Sequence, residues 1–361
     1  MVELADIIRQ YGDSYRKTHI LPLNQLRTLR AIEICRTKEL GGHVDECEDC
    51  HHIRISYNSC RNRHCPKCQF LTKEKWLHAR GKELLPIPYF HIVFTVPSEL
   101  NPLALRNQEV VYTLLFKAAS ETLTELTRSR LGAQIGVIAV LHTWGQNLYD
   151  HPHIHCIVTG GGLSPHRWIS SKRKFFLPVK VMSRLFKGKL LSFLRKALDA
   201  DTLLKNLYDK EWVVYCKPPF NGPESVIQYL GRYTHRVAIT NHRIIGMENG
   251  KASFSWKDYS DGNRKKTMIL DASEFIRRFL LHVLPDGFVK IRYFGILANR
   301  NRKACLERCR ELLGVKPHTE DIPKTWQALL LEITGIDIGQ CPLCHGRMKA
   351  KETIPCYRGP P

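Results

Sequence analysis

Hydrophobic and polar positions along the chain follow two different periods, and together they predict a mixture of strands and helices. Short apolar or alternating runs predict strands at residues 90–96, 135–144, 151–160 and 211–217, and a hairpin over residues 243–270. Apolar side chains at helical spacing predict helices over residues 106–130 and 180–206. Gly222-Pro223-Glu224 predicts the start of a further helix, because proline is favoured in the first turn. This alternation indicates an α+β fold.

The charge balance narrows the class of partner. The 361 residues include 55 Lys and Arg against 34 Asp and Glu, which gives a formal net charge of +21. Such an excess favours an anionic polymer, and DNA is the predicted partner. No apolar run approaches the roughly 18 residues that a membrane helix needs, and the first ten residues do not form a signal peptide. We therefore expect a cytoplasmic protein with no membrane partner.

Three regions differ in composition along the sequence. Residues 1–82 combine an amphipathic opening with a block rich in cysteine and histidine, which predicts a helical and zinc-binding region. Residues 86–302 contain most of the predicted strands and form the predicted catalytic domain. Residues 303–361 form a basic tail with a further Cys-x-x-Cys pair.

The strand over residues 151–160 carries a candidate metal site. Successive side chains on a strand point to opposite faces, so His153 and His155 share one face. If residues 135–144 and 151–160 form a symmetric antiparallel hairpin, His142 lies opposite His153 and becomes the third ligand. Gln146, Asn147 and Asp150 are competing ligands. Three histidines of this kind would hold Mg²⁺ or Mn²⁺ for phosphodiester chemistry, while zinc or nickel could replace it in vitro. The alternative is that these are ordinary buried or surface histidines.

The helix that begins near residue 223 carries a candidate nucleophile pair. Tyr229 and Tyr233 lie one helical turn apart on the same side. A tyrosine attacking a phosphodiester forms a covalent ester, which conserves the energy of the broken bond. Arg232, His235 and Arg236 would favour the phenolate form of either tyrosine. Without the histidine strand, two aromatic core residues would be the better interpretation.

The amino-terminal cysteines predict structural zinc. Cys47-x2-Cys50 and Cys65-x2-Cys68 are two knuckles that would place four thiolates around one Zn²⁺. Cys60, His64 or His43 could replace one of these ligands. Basic residues beside the site are predicted DNA contacts, namely Arg61, Arg63 and Lys67.

A second Cys-x-x-Cys pair lies in the basic tail. Cys341 and Cys344 are half of a zinc knuckle, and their candidate partners are Cys305 with Cys309, or Cys356 with His345. The alternative is a fortuitous cysteine pair in a loose tail.

Several motifs together resemble the rolling-circle transposases of the insertion-sequence-91 family, which belong to the HUH endonuclease superfamily. The motifs are residues 59–69 (SCRNRHCPKCQ), 142–146 (HTWGQ), 151–155 (HPHIH) with 160–162 (GGG), 229–236 (YLGRYTHR) and 288–295 (FVKIRYFG). They run through most of the chain. The chain has no Walker-type Gly-x4-Gly-Lys-Ser/Thr motif, which argues against a fused helicase.

The resemblance implies a fold and a chemistry. The implied fold has a central antiparallel HUH-type sheet with flanking helices, the metal histidines on a middle strand and the tyrosine helix across that face. His153 and His155 match the HUH pair, and Tyr229 and Tyr233 match the two tyrosines of the family. The implied reaction is a single-strand nick that leaves a 5′-phosphotyrosine and a free 3′-hydroxyl.

The function predicted from the sequence is therefore a transposase that nicks and rejoins single-stranded element ends. Arg232 and Arg236 join the three basic residues beside the zinc knuckle as predicted DNA contacts. Two other functions remain open: a metal-dependent hydrolase that uses water, and a non-enzymatic zinc-module DNA-binding regulator.

Overall fold

The computed structural model describes residues 2–171, 176–220, 222–233, 237–259, 261–315 and 325–356. Its helices are α1 Leu4–Thr18, α2 Leu23–Glu33, α3 Gln69–Gly81, α4 Asn101–Arg106, α5 Gln108–Leu131, α6 Val179–Ala197, α7 Asp201–Tyr208, α8 Pro223–Tyr233, α9 Ala272–Leu281, α10 Arg302–Leu312 and α11 Trp326–Thr334. Its strands are β1 Gly42–Cys47, β2 Ile53–Tyr57, β3 Tyr89–Thr95, β4 Gly136–Trp144, β5 Asp150–Thr159, β6 Gly161–Leu163, β7 Trp168–Ser170, β8 Val214–Cys216, β9 Ile244–Glu248, β10 Lys251–Asp258, β11 Arg264–Asp271, β12 Ile291–Gly295 and β13 Met348–Ile354.

Contacts divide the chain into two compact units, each assembled from separate stretches of sequence. The cysteine unit comprises Met1–Trp76, His235–Val283 and Glu320–Pro361. The sheet unit comprises Leu77–Thr234 and Leu284–Thr319. The three consecutive domains inferred from composition stay a prediction.

The sheet unit is built around a five-stranded sheet with the order β12-β4-β5-β3-β8. Each neighbouring pair is antiparallel. Strand β5 is the middle strand and is paired on both sides along most of its length. One short loop, residues 145–149, connects β4 to β5, whereas β3, β8 and β12 reach the sheet from distant parts of the sequence.

One face of this sheet is buried under α5 and α6. The apolar side chains that alternate along the strands enter that core, and they include Phe90, Ile92, Phe94, Val137, Ala139, Leu141, Ile154, Cys156 and Val158. Leu115 and Phe116 of α5 and Phe186 and Leu190 of α6 cover them. Since burial of apolar area is the main stabilising term, this layer determines which way every strand faces.

The cysteine unit combines a small helical core with two three-stranded sheets. The helices α1, α2 and α9 pack together, and their buried side chains include Ile7, Ile8, Leu29, Ile32, Phe275 and Phe279. One sheet has the order β11-β10-β9 and the other the order β13-β1-β2. In the second sheet a strand near the carboxyl-terminal end of the sequence pairs with one near its start.

The α+β class, with antiparallel sheets, flanking helices and an amino-terminal cysteine cluster, is confirmed. The pattern-based strands at residues 90–96, 135–144 and 151–160 correspond to β3, β4 and β5. Among the described residues, every helix is too short or too polar to cross a membrane.

Gly295 ends β12 at a point where only glycine fits. Its φ is +64°, and a Cβ there would lie 1.8 Å from the carbonyl oxygen of Ile135. Gly314 has a similar φ of +65° but no atom within 4 Å of a Cβ. Gly314→Ala should therefore cost only the left-handed backbone term of ~1–2 kcal/mol, and Gly295→Ala clearly more.

Urea unfolding followed by circular dichroism measures both changes against the unsubstituted protein. We expect a larger drop of the unfolding midpoint for Gly295→Ala than for Gly314→Ala. Equal drops would contradict the close approach of Gly295 to Ile135.

Candidate active site and cysteine clusters

The middle strand β5 presents two histidines on the sheet face opposite the core. Ile154, Cys156 and Val158 enter the core under α5 and α6. Because the side chains of a strand alternate, His153 and His155 must then face the other way. The apolar residues of β5 thus fix the direction of the imidazoles.

The pairing of β4 with β5 brings a third histidine to the same face. His142 lies directly opposite His153, and Val140 lies opposite His155, so the register expected from the sequence is confirmed. A bulge shifts the register only beyond this pair, between His142 and Trp144. The imidazole of His142 and the indole of Trp144 stack with centroids 4.8 Å apart, which helps to hold the His142 ring.

The three imidazoles form one compact group of ligating atoms. One nitrogen from each of His142, His153 and His155 lies within 4.8 Å of the others. The Nε2 atoms of His153 and His155 are 3.1 Å apart, which suits two ligands bonded at ~2.1 Å to one ion at roughly a right angle. His142 and His155 are buried, while His153 is half-buried. This donor set therefore fits a divalent cation.

Helix α8 brings Tyr229 to the histidine face. The side chain of Tyr229 is buried, and its Oη lies 3.3 Å from Nδ1 of His155. Its ring packs against Phe220 with centroids 5.0 Å apart. At its far end α8 passes close to α3, where a Cβ on Gly231 would lie 3.0 Å from Leu77. The structure thus brings one of the two predicted nucleophiles to the predicted metal ligands.

The other predicted residues of this helix fall outside the description. The side chains of Arg232 and Tyr233, and the whole of His235 and Arg236, lie outside the described residues. Their roles stay predictions.

His91 is a site residue that the sequence reasoning missed. Its Nε2 lies 2.5 Å from Oη of Tyr229 and 2.9 Å from Nδ1 of His155, so it bridges the two. Burial, followed by the charges of Lys217 and His153, lowers the pKa of His91 to about 3, so its imidazole is neutral at neutral pH. A polar residue inside the apolar run of β3 was the available signal.

Asp150, a competing ligand in the sequence interpretation, is not part of the histidine group. It opens β5 opposite Trp144. Both carboxylate oxygens are buried, and no hydrogen bond to them is found among the described residues. Burial raises the pKa of Asp150 to about 7, because the charged form loses its hydration.

The predicted set of four zinc ligands needs a correction. The structure does not bring Cys47, Cys50, Cys65 and Cys68 together but divides them between two clusters. Knuckle spacing shows which cysteines turn toward one ion, but it does not show which second pair completes the site. The second pair is set by the way distant segments pack.

In the first cluster, Cys65 and Cys68 meet Cys35 and Cys60. Cys35 follows the end of α2, and its Sγ lies 3.5 Å from Sγ of Cys68 and 3.7 Å from Sγ of Cys65. The sequence predicts Cys60 only as a replacement ligand, and Cys35 is not among the ligands predicted from the sequence. His43 and His64 belong to neither cysteine cluster.

In the second cluster, Cys47 and Cys50 meet Cys341 and Cys344 of the tail. The partners proposed from the sequence for the tail pair were Cys305 with Cys309, or Cys356 with His345, and none of these belongs to the cluster. Cys305 and Cys309 lie on α10, in the sheet unit.

The predicted DNA contacts near the first cluster differ in their surroundings. Arg61 is exposed, with a left-handed φ of +54°. Arg63 is half-buried. Lys67 forms an ion pair with the carboxylate of Glu3 at 2.5 Å, so its positive charge is partly neutralised within the protein. Their contact with DNA stays a prediction.

Two family models match parts of the chain. Residues 136–304 match a family model described as "Putative transposase", and residues 7–96 match the transposase zinc-binding domain of the insertion-sequence-91 type. The first match covers β4, β5 and α8, and the second covers Cys35, Cys60, Cys65 and Cys68.

Two proteins resemble most of the chain. A protein of Sinorhizobium fredii named "Putative transposase y4qJ" is 50% identical over 386 residues, which is 99% of this chain and 97% of that protein. The transposase for insertion sequence element IS801 of Pseudomonas savastanoi pv. phaseolicola is 27% identical over 344 residues, covering 90% and 82%. No solved structure matches the chain.

The fold, the cysteine clusters and these matches define a transposase, a DNA-processing enzyme that carries structural zinc. The chain belongs to the insertion-sequence-91 family of transposases.

The raised pKa of Asp150 predicts a pH dependence of stability. Between about pH 4 and pH 7 the folded state holds a proton that the unfolded state releases, so the contribution of this group to stability falls as pH rises from about 4 to about 7 and stays lost above that. Asp150→Asn should remove that loss and raise the free energy of unfolding at about pH 8 by on the order of 2–4 kcal/mol.

Thermal unfolding at about pH 5 and pH 8 checks this, with Asp209→Asn at an exposed carboxylate as the control. The difference in melting temperature between the two pH values should be smaller for Asp150→Asn than for the control. An unchanged gap would mean that Asp150 has a stabilising partner.

Proposed function

We propose that the chain nicks and rejoins single-stranded ends of its element by tyrosine attack on a phosphodiester, assisted by a divalent cation. The observation that carries the proposal is the position of Tyr229 Oη, 3.3 Å from an imidazole of the three-histidine group. A nucleophile beside a cation site on a basic protein suits attack on a phosphate.

His142, His153 and His155 are the proposed metal ligands. When bound, a divalent cation would neutralise charge on the scissile phosphate and polarise it toward attack. All three donors are imidazole nitrogens, and this favours Mn²⁺ over Mg²⁺, because Mg²⁺ prefers oxygen ligands. Nδ1 of His153 lies 2.6 Å from the carbonyl oxygen of His151, which suits an Nδ1–H donor and leaves Nε2 for the ion.

Tyr229 is the proposed nucleophile within the described residues. Its Oη would form a bond to phosphorus while the bond from phosphorus to the 3′ oxygen breaks. The phenol loses its proton, and the departing 3′ oxygen takes up a proton. The product is a 5′-phosphotyrosine, which conserves the energy of the phosphodiester for rejoining.

His91 holds the nucleophile in place in this scheme. An imidazole with a pKa of about 3 is a poor acceptor for a phenolic proton at neutral pH. The role proposed for His91 therefore rests on its position and not on its basicity. Its contacts to Tyr229 and to His155 instead fix the distance between the nucleophile and a metal ligand. We therefore assign it a positioning role.

Tyr233, one helical turn after Tyr229, is the proposed second nucleophile. Residues at i and i+4 of a helix lie on the same side, so a second tyrosine could accept a second strand. Such a pair would allow one strand to be released while the other stays attached.

Basic residues are proposed to hold the DNA backbone. Arg61, Arg63 and Lys67 lie beside the first cysteine cluster, and Arg232 and Arg236 lie in or next to the tyrosine helix. Phosphate contacts of this kind supply affinity that falls as salt rises. The net charge of +21 supports such a mode of binding.

Covalent capture tests the nucleophile. Labelled single-stranded element-end DNA incubated with the protein and Mn²⁺ should give a slow band on a denaturing gel. The band should disappear in the Tyr229→Phe, Tyr233→Phe double variant, because phenylalanine has no oxygen to attack. The two single variants identify which tyrosine reacts first.

Tyr208→Phe, at an exposed tyrosine of α7, is the matched control and should keep the band. Cleavage without a covalent band would instead indicate a metal-dependent hydrolase that uses water. Binding without cleavage would indicate a DNA-binding regulator.

Metal dependence tests the third ligand. His142→Ala should lower the rate of adduct formation by about 100-fold or more at fixed Mn²⁺, with partial recovery at higher Mn²⁺, because one of three ligands is lost. His166→Ala, at an exposed histidine outside the group, should have no effect. If both variants behave alike while still binding DNA, His142 is not a ligand.

A further inference from the structure

The second cysteine cluster joins residues from the two ends of the sequence. Sγ of Cys47 lies 3.4 Å from Sγ of Cys344, and Sγ of Cys50 lies 3.6 Å from Sγ of Cys341. We propose that this cluster binds a zinc ion of its own, and that this ion fastens the carboxyl-terminal strand β13 into the amino-terminal sheet.

The sulfur geometry fits a tetrahedral thiolate site. All four ligating atoms lie within 4.8 Å of one another. Zn–S bonds of ~2.3 Å in a tetrahedron place neighbouring sulfurs about 3.8 Å apart, close to the observed separations. A disulfide requires ~2.05 Å, which is much shorter, and all four cysteines are free.

The two halves of the cluster are copies of the same turn. Each reads Cys-x2-Cys-His, and the histidine is left-handed in both, with φ of +58° at His51 and +62° at His345. In each turn this histidine donates its N–H to the carbonyl of the first cysteine, at 3.2 Å to Cys47 and 3.0 Å to Cys341.

A further backbone bond closes each of these turns. The N–H of Cys47 bonds the carbonyl of His52 at 2.9 Å, and the N–H of Cys341 bonds the carbonyl of Gly346 at 2.8 Å. The N–H of Leu343 also points at Sγ of Cys341, at 3.4 Å. Hydrogen bonds to a sulfur favour the thiolate that a metal requires. Two matching preformed turns facing each other indicate a built site.

Strand β13, which follows the Cys341–Cys344 knuckle, pairs with strand β1, which leads into the Cys47–Cys50 knuckle. β13 pairs antiparallel with β1 from Gly42 opposite Ile354 to Cys47 opposite Met348. Charged side chains connect the same strands, since Lys351 pairs with Glu46 at 2.7 Å and Lys349 pairs with Glu48.

Close packing accompanies this pairing. A Cβ on Gly346 would lie 2.1 Å from a carboxylate oxygen of Asp49. Gly346 of the tail therefore packs in direct contact with the Cys47–Cys50 knuckle.

The pairing itself has little apolar support. Most of β13 is exposed, and its two half-buried residues are Met348 and Ile354 at its ends. Exposed ion pairs contribute only ~0–1 kcal/mol each. Without an apolar core, a module of this size usually needs a metal to stay folded. The ion would therefore supply most of what holds β13 in place.

Cobalt substitution of the full-length protein tests the site. Only thiolate ligands give the near-ultraviolet charge-transfer band of cobalt, so the histidine site does not contribute to it. Two occupied clusters predict eight Co–S bonds, because each holds four cysteines. Cys341→Ser with Cys344→Ser should halve the band and lower bound zinc by one ion per chain.

Cys305→Ser with Cys356→Ser is the matched control, since these cysteines lie outside both clusters. It should keep the full band and the full zinc content. It also removes the alternative partners of the tail pair.

Hydrogen exchange gives a second measurement that does not depend on metal counting. The backbone amides of β13 and of its partner β1 should exchange faster in the Cys341→Ser, Cys344→Ser variant, while those of α5 stay protected. A full cobalt band, unchanged zinc content or unchanged protection of β13 in this variant would each overturn the proposal. If the variant also loses protection in α5, it has unfolded generally, and hydrogen exchange is then measured on the unsubstituted protein after a chelator has removed zinc. Faster exchange in β13 with α5 still protected supports the proposal, and unchanged protection of β13 after zinc loss overturns it.

Discussion

The pairing register between β4 and β5 is the constraint on which the candidate site depends. A shift of one residue in a strand moves each of its side chains to the other face. Such a shift of β5 would bury His153 and His155 among α5 and α6 and expose Ile154, Cys156 and Val158. These apolar residues of β5 therefore prevent the slip, because exposing them would cost on the order of 2 kcal/mol each. The chemistry of one face is specified by the packing of the other.

The same sheet face holds the side chain of Tyr229, the proposed nucleophile, in a defined position. Tyr229, His91 and His155 form a continuous line of contacts from a helix through β3 to β5. Buried polar groups are costly unless they have partners, so each member of this line stabilises the position of the next. The phenol is thereby held near the proposed metal ligands. A bound ion and a phosphate would meet a site whose geometry is already set.

Local patterns in the sequence were enough for the features that depend on neighbouring residues. Period-two alternation and a short loop fixed the register of β4 and β5, and hence the position of His142. His91 depended on β3 pairing with β5 across more than 50 intervening residues, which no local pattern reveals. The grouping of the cysteines failed for the same reason, since spacing identifies a knuckle but not the distant segment that completes it. The roles predicted for Tyr229 and Tyr233 rest on the histidine strand and the basic character of the chain, and the family resemblance adds to them, because helical spacing alone favours two core aromatics.

The division of the cysteines between two clusters has a consequence for the order of folding. Cys35, Cys60, Cys65 and Cys68 span a short stretch, so their cluster can form as soon as that stretch exists. Cys50 and Cys341 are 291 positions apart in the sequence, and the chain between them includes the whole five-stranded sheet. Until β13 arrives, β1 has an unpaired edge, which is a template for wrong pairing and aggregation. Loss of the tail would leave that edge without β13 and leave Cys47 and Cys50 without the other two cysteines of their cluster. The tail therefore matters for the integrity of the molecule even though it contributes no residue to the proposed chemistry.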